Sequence, residues 1–375
     1  MPLPSQPLLF TVTTDLCFDQ RMQRICGSLA AAGYRVQLVG WQRPTSPPLT
    51  PQPYQQRRLR GWFQKGKLFY LEYNLRLFFY LLSQRAAAWC ACDLDTALPV
   101  WLRAKLGGQP FVYDAHELFT EVPEVVARPA VQRIWRWVEG FIVPRARLAY
   151  TVGPALAQVF EQRYGRPFAV VRNVSRLRTG EVLPPAPTAA PPAGYILYQG
   201  ALNVGRGLEN LIDAMPQVAG RLVICGEGDL SAMLRERAEK LGLLASGKVE
   251  FRGFVLPEAL REVTRHAAVG IMLLENIGLS YYYSLANKFF DYVHAGIPQV
   301  LIDFPEYRAL NDQFDVAELV TDLQPTTLAA ALNRLLRDEP ARYQHLAENC
   351  RRAALQLSWQ HEEQVLLKLF AGLFA

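Results

Sequence analysis

Short apolar runs rich in β-branched and aromatic side chains alternate along this chain with longer segments whose apolar positions recur at helical spacing. The alternation predicts parallel strands covered by helices. In the first half the candidate strands are residues 8–13, 35–39, 87–91, 111–114, 148–152 and 168–171. A second series begins with YILYQG (195–200) and continues through RLVICGEG (221–228), VEFRGF (249–254), VGIMLLE (269–275) and PQVLID (298–303). Between the two lies the proline-rich run EVLPPAPTAAPPAG, where missing backbone donors favour an extended linker. The pattern predicts an α/β protein of two Rossmann-like, doubly wound domains, residues 1–180 and 195–357, joined by a linker over 181–194. A C-terminal helix over 358–375, with Ser358 as N-cap and Glu362 nearby, is expected to pack back on the first domain. Two such halves facing each other across a cleft would bind ligands at the carboxyl ends of their strands.

A length of 375 residues suits two cores, and a composition half hydrophobic and one-fifth charged is that of a globular protein. Forty basic against thirty-four acidic residues leave a net charge of +6, which favours anionic partners without reaching the basicity of a nucleic-acid binder. No nucleic acid partner is expected. The six cysteines (17, 26, 90, 92, 225 and 350) form neither a disulfide framework nor paired zinc knuckles, so buried thiols in a reducing, cytoplasmic setting are expected. The first residues have no basic region ahead of an apolar one, and no run approaches the roughly 20 apolar residues that cross a bilayer. The nearest is 62–84, interrupted by Lys65, Lys67, Glu72 and Arg76. Lys65, Glu72, Arg76 and Ser83 form one narrow stripe at helical period. Such a helix suits contact with the inner-membrane surface, or a buried place with the stripe reaching solvent.

Candidate chemistry falls at the ends of predicted strands. Gly200, Gly205 and Gly207 flank Arg206 between a strand and a helix, where backbone must turn closely beneath a ligand and a guanidinium can fork onto phosphate. The spacing is not the dinucleotide fingerprint. Gly226 and Glu227 end a second strand, and Phe254 and Val255 follow a third, near a prospective nucleobase. In SYYYSLANKFFDYVHAGIP, Asn287 and Asp291 share a helix face and Lys288 adds an ammonium to the helix N-terminus, a combination that favours phosphate. In the first half, FVYDAHELFTE puts Asp114, His116 and Glu117 just after a strand. A histidine there could bind or deprotonate a hydroxyl, or be structural with Asp114 or Thr120 as a helix cap. No second histidine completes a zinc motif. In Asp93-Leu94-Asp95, Asp95 reads as a helix N-cap rather than a metal ligand.

The order of these motifs resembles the retaining glycosyltransferases of family 4, which have the GT-B fold, and in particular a bacterial branch with a DxHE motif in the first domain and an NK-x-F-(D/E)-Y stretch in the second. The likeness runs through Asp19-Gln20-Arg21, DLDTALP, YDAHELFTE, Arg172-Asn173, GALNVGRG, ICGEG, RGF and NKFFDYVHAGIP. It implies transfer of a sugar from a UDP- or GDP-linked donor to a hydroxyl acceptor, saccharide or lipid-linked, with retention. No metal and no cofactor are implied beyond the nucleotide-sugar, which is a substrate. On this resemblance Arg206, Asn287 and Lys288 meet the diphosphate, and Asp291 holds the ribose as the second acid of the family's E-x7-E motif. His116 lies near the transferred sugar, and Asp19 and Glu117 lie on the acceptor side. Bacterial surface polysaccharide or glycolipid synthesis is the setting it suggests.

The sequence departs from the family where Tyr283 replaces the first glutamate of E-x7-E and Ala286 stands where the branch often has proline. The grip on the donor sugar therefore differs. Two other activities share the pattern: a GT-B sugar-nucleotide epimerase or phosphorylase, and a non-catalytic nucleotide-binding partner subunit.

Overall fold

The computed structural model describes residues 3–177 and 194–375, so the expected linker lies, apart from Gly194, outside the described residues. The chain forms two compact units, Met1–Asn173 with Gln360–Ala375, and Val174–Trp359.

Unit 1 is built on a seven-stranded sheet of β1 (Leu8–Thr11), β2 (Val36–Trp41), β3 (Gln55–Leu59), β4 (Ala88–Cys92), β5 (Phe111–Ala115), β6 (Leu148–Thr151) and β7 (Ala169–Val170), in the order β3-β2-β1-β4-β5-β6-β7. Unit 2 has six strands, β8 (Tyr195–Gln199), β9 (Leu222–Cys225), β10 (Val249–Gly253), β11 (Ala267–Met272), β12 (Gln299–Ile302) and β13 (Ala317–Val320), in the order β10-β9-β8-β11-β12-β13. Every pairing is parallel. Each order runs outward from its first strand and then reverses, so the crevice of each sheet opens between β1 and β4, and between β8 and β11, at their carboxyl ends. The strands flanking these crevices are buried along their whole length, which is why they read as continuous apolar runs in the sequence. Two strands escaped the sequence pattern. β3 is an edge strand of sequence QQRRL with only Leu59 fully buried, and β13 is a four-residue edge strand beyond the last predicted run.

Helix α1 (Gln20–Ala31) begins at Asp19, whose carboxylate accepts from Met22 N at 3.0 Å and from Thr14 Oγ1 at 2.7 Å. Helix α2 (Gly66–Leu82) buries Phe69, Tyr73, Leu77 and Leu81, and of its polar stripe Lys65 and Ser83 are exposed while Glu72 and Arg76 are half-buried. The Glu72 carboxylate turns onto the backbone N–H groups of Trp62 and Phe63 at 2.9 Å and pairs with Arg76 at 2.9 Å. Solvent also meets Leu68, Leu71, Leu75, Phe79 and Leu82, opposite the core face. Among the described residues no helix is long and apolar enough to cross a membrane.

The last helix, Trp359–Leu373, contributes from Gln360 onward to unit 1. Phe370 is fully buried 5.8 Å from the Phe10 ring and 6.4 Å from that of Tyr150. Glu362 accepts from Arg172 N at 2.9 Å and pairs with its guanidinium at 3.1 Å. All six cysteines are free, and all but Cys17 are buried.

Candidate active site

In unit 2 three parallel strands end in glycines. Gly200, Gly226 and Gly253 follow or close β8, β9 and β10 with positive φ, and Gly200 and Gly226 are packed so closely that a Cβ on Gly226 would lie 1.8 Å from the Gly200 carbonyl oxygen. A Cβ on Gly200 would lie 3.3 Å from Lys288 Nζ. This backbone floor leaves the ammonium of Lys288 over the Tyr198 ring, 3.8 Å from its centroid. The helix that carries it, Asn287–His294, starts at Ala286 without a side-chain cap.

Arg206 approaches from the loop after β8. Gly205 at φ +81 and Gly207 at φ +64 turn that loop, and the carbonyl of Gly205 accepts from Glu275 N at 3.0 Å, fixing it against the segment after β11. The guanidinium carbon stands 4.9 Å above the Tyr281 ring, and its Nε is buried with no hydrogen-bond partner. Among the described residues no carboxylate pairs with Arg206 or Lys288. Burial, and then the charge of Arg206, hold the Lys288 ammonium well below the ordinary lysine pKa. A guanidinium and a lysine close enough to feel each other's charge, beside a glycine floor at the end of a parallel sheet, are an arrangement that can accept an anion.

Asp291, one turn beyond Lys288, accepts from Ser175 Oγ and from Gln199 Nε2, both at 3.0 Å. Gln199 in turn accepts from Thr264 at 2.8 Å. Glu227 stands 2.8 Å from Arg235 in an exposed ion pair, and a Cβ on Gly253 would lie 3.2 Å from its Oε1. Phe254 is exposed, whereas Val255 packs against the cluster around Tyr195 and Val223. Tyr283 ends a short helix with its ring edge-on to Tyr282 at 5.0 Å, and Asn287 is exposed. The structure therefore brings Gly200, Gly226, Arg206 and Lys288 together, and sets Phe254 and Val255 facing different ways.

In unit 1, the buried Asp114 and the half-buried His116 and Asp93 form a chain of charges. Asp114 lies inside β5, 1% exposed, and Arg21 of α1 meets it with two nitrogens at 2.8 and 3.4 Å while also donating to Val171 O at 3.0 Å. Asp114 is therefore no helix cap, and its carboxylate meets Arg21 and His116. Thr120 is no cap either; it is buried and donates to Glu139 at 3.1 Å. His116 Nε2 is 3.3 Å from Asp114, Nδ1 is 3.3 Å from Asp93, and the His116 backbone N–H donates to Asp93 at 2.8 Å. Burial alone would lower the histidine pKa, but the charges of Asp93 and then Asp114 outweigh it and raise it to about 9. Burial opposes ionisation of Asp114 as well, yet Arg21 and then His116 bring its pKa down to about 2. At neutral pH His116 is thus an imidazolium with both nitrogens engaged, not the base the sequence suggested.

Asp93 is the residue that sequence reasoning missed. It, rather than Asp95, occupies the N-cap position of α3 (Leu94–Gly107), at φ 60 and ψ 172, a conformation almost confined to glycine that costs about 1–3 kcal/mol. The strained turn aims its carboxylate at His116. Asp95 lies in the first helical turn and accepts from Thr13 at 2.6 Å, with burial and then Asp93 raising its pKa to about 7. Cys92, Asp114 and His116 hold ligand-type atoms within 4.8 Å of one another. Arg21 already occupies that carboxylate and burial keeps the Cys92 thiol protonated, so the trio does not suit a cation. Asp19 is engaged as the α1 cap, and Glu117 is exposed.

Residues 19–175 match the family described as "Glycosyl transferase 4-like domain", and residues 193–338 match "Glycosyl transferases group 1". A curated relative, the uncharacterized glycosyltransferase MJ1607 of Methanocaldococcus jannaschii, is 37% identical over 81 residues, a match spanning 20% of each chain. Among solved structures, sucrose-phosphate synthase from Thermosynechococcus elongatus is similar with a TM-score of 0.77 at 18% identity, covering 98% of this chain and 99% of that one. Anabaena Alr3699/HepE in complex with UDP gives 0.71 at 14% identity over 98% and 100%. WaaG, a glycosyltransferase involved in lipopolysaccharide biosynthesis, gives 0.70 at 16% identity over 96% and 98%. The chain carries two glycosyltransferase domains, a 4-like domain followed by a group 1 domain, and has the GT-B fold of two Rossmann-like parallel-sheet domains.

Proposed function

We propose that the protein transfers a sugar from a UDP- or GDP-linked donor to a hydroxyl of a saccharide or lipid-linked acceptor, with retention and without a metal ion. The observation that carries this reading is the convergence of Arg206 and Lys288, without a carboxylate among the described residues, over the glycine floor of unit 2. A pyrophosphate supplies the charge that pair lacks. The UDP bound to Alr3699/HepE, a protein of like fold, supports the choice.

As the bond from the anomeric carbon to the phosphate oxygen breaks, negative charge grows on the β-phosphate. Arg206, Lys288 and the start of helix Asn287–His294 then stabilise the transition state more than the ground state. The acceptor oxygen bonds to the anomeric carbon on the face the phosphate leaves, and its proton passes to a phosphate oxygen. No enzymic base is needed, in keeping with a His116 that is already protonated. His116 contributes a fixed cation oriented by Asp93 and Asp114. Asp291, oriented by Ser175 and Gln199, takes the ribose hydroxyls.

The apolar outer face of α2 suits work at the cytoplasmic surface of the inner membrane, in surface polysaccharide or glycolipid synthesis. Transfer by the Arg206→Ala, Lys288→Ala double variant tests the donor site. Loss of turnover by at least about 10³-fold is expected, since one lost transition-state donor costs about 10²–10³. Near-normal turnover removes both residues from the mechanism.

A further inference from the structure

A groove of about 950 Å³ lies in unit 1 between β3, the turn after it and α2. Four arginines line it, and they divide into two kinds. Arg58 pairs with Asp15 at 3.2 Å, and Arg76 pairs with Glu72 at 2.9 Å while its guanidinium stands 4.7 Å from the centre of the Trp62 ring. Arg57 and Arg60, on the exposed edge of the sheet, have no carboxylate partner among the described residues; Arg60 only donates to Gln42 at 2.8 Å. Leu75 and Phe79 form the opposite wall and belong to the outward apolar face of α2, and Trp62 at the rim is 83% exposed.

Cations beside an outward leucine face and an exposed indole match the two layers of a lipid surface, anionic phosphate and acyl boundary. A second copy of the chain fits this face poorly, because a symmetric contact would set Arg57, Arg60, Lys65 and Lys67 against their own counterparts. We propose that the groove between β3 and α2 binds the phosphate headgroup of an anionic phospholipid through Arg57 and Arg60, while Leu68, Leu71, Leu75 and Phe79 enter the acyl boundary. This rests on the membrane reading above and gives it a lipid chemistry. The ligand is a bilayer lipid, and the site is separate from the His116 centre and from the Arg206–Lys288 pair.

Co-sedimentation with vesicles of phosphatidylcholine alone and of phosphatidylcholine with phosphatidylglycerol tests it. Each variant is checked by its UDP-induced rise in melting temperature. The wild type is expected to prefer the anionic vesicles. Arg57→Gln with Arg60→Gln is expected to weaken that binding about thirtyfold and leave binding to neutral vesicles unchanged. Leu71→Asp with Phe79→Asp is expected to abolish both. If the arginine pair can be removed with the preference intact, the headgroup site is wrong and the membrane reading stands. If the wild type binds neither vesicle, both fall. Lipid-free dimers that Leu71→Asp with Phe79→Asp dissolves would give the face to a second copy and overturn the proposal.

Discussion

At the scale of single residues the chemistry rests on which charges are answered within the fold and which are not. Arg21 and Asp114 answer each other with almost no exposure, so Asp114→Asn leaves a buried guanidinium unpaired and is expected to cost about 3–5 kcal/mol in chemical denaturation. The same network sets a pH window. Because His116 is raised in the folded state, its stabilising contribution is complete below its ordinary pKa near 6.5 and disappears as pH rises through about 9. A melting temperature that declines across that range, and an imidazole resonance titrating near 9 that moves down in Asp93→Asn, check the assignment. Lys288 behaves oppositely. Its depressed pKa is expected to rise when a diphosphate arrives, and the pH dependence of UDP affinity by calorimetry, compared between the wild type and Lys288→Ala, reads that rise. Arg206 and Lys288 could be singled out from the sequence because glycines and a helix start surround them. Asp93 could not. Asp95 two residues on was the better cap by sequence, and the pairing of Asp93 with His116 depends on β4 and β5 lying side by side.

At the scale of elements, the buried central strands declared themselves as unbroken apolar runs, while β3 and β13 did not. An edge strand needs few apolar residues, since one side of its backbone and much of its surface meet solvent. Helix α2 is the instructive case. Its polar stripe was visible in the sequence, but periodicity gives only the relative angle of two faces; it could not show that the leucine face opposite the core also meets solvent, or that Glu72 within the stripe accepts from Trp62 N and Phe63 N. The strand-end glycines carry a sharper constraint. Gly226→Ala places a methyl carbon within bonding range of the Gly200 oxygen, at a positive φ. It is expected to lower stability by about 1–3 kcal/mol and to weaken UDP binding with it, measured by melting temperature and calorimetry.

At the scale of the whole molecule, the two strand series were legible because each sheet is parallel and covered on both sides. The line between the units falls at Asn173 and Val174, where Val174 is already buried in the core of unit 2. Ending the chain after Trp359 removes Leu366, Phe370 and Glu362 from unit 1. Loss of the unit 1 melting transition is expected by scanning calorimetry, with that of unit 2 and its UDP-induced shift retained.

The interleaving of the units also bears on synthesis. Residues 174–359 are made without interruption and have all their own partners before the last helix leaves the ribosome, whereas unit 1 must wait for Phe370 to cover Phe10 and Tyr150. The order of birth is then the reverse of the order of completion, since the core of the first half of the nascent chain stays open until residues 360–373 have been made.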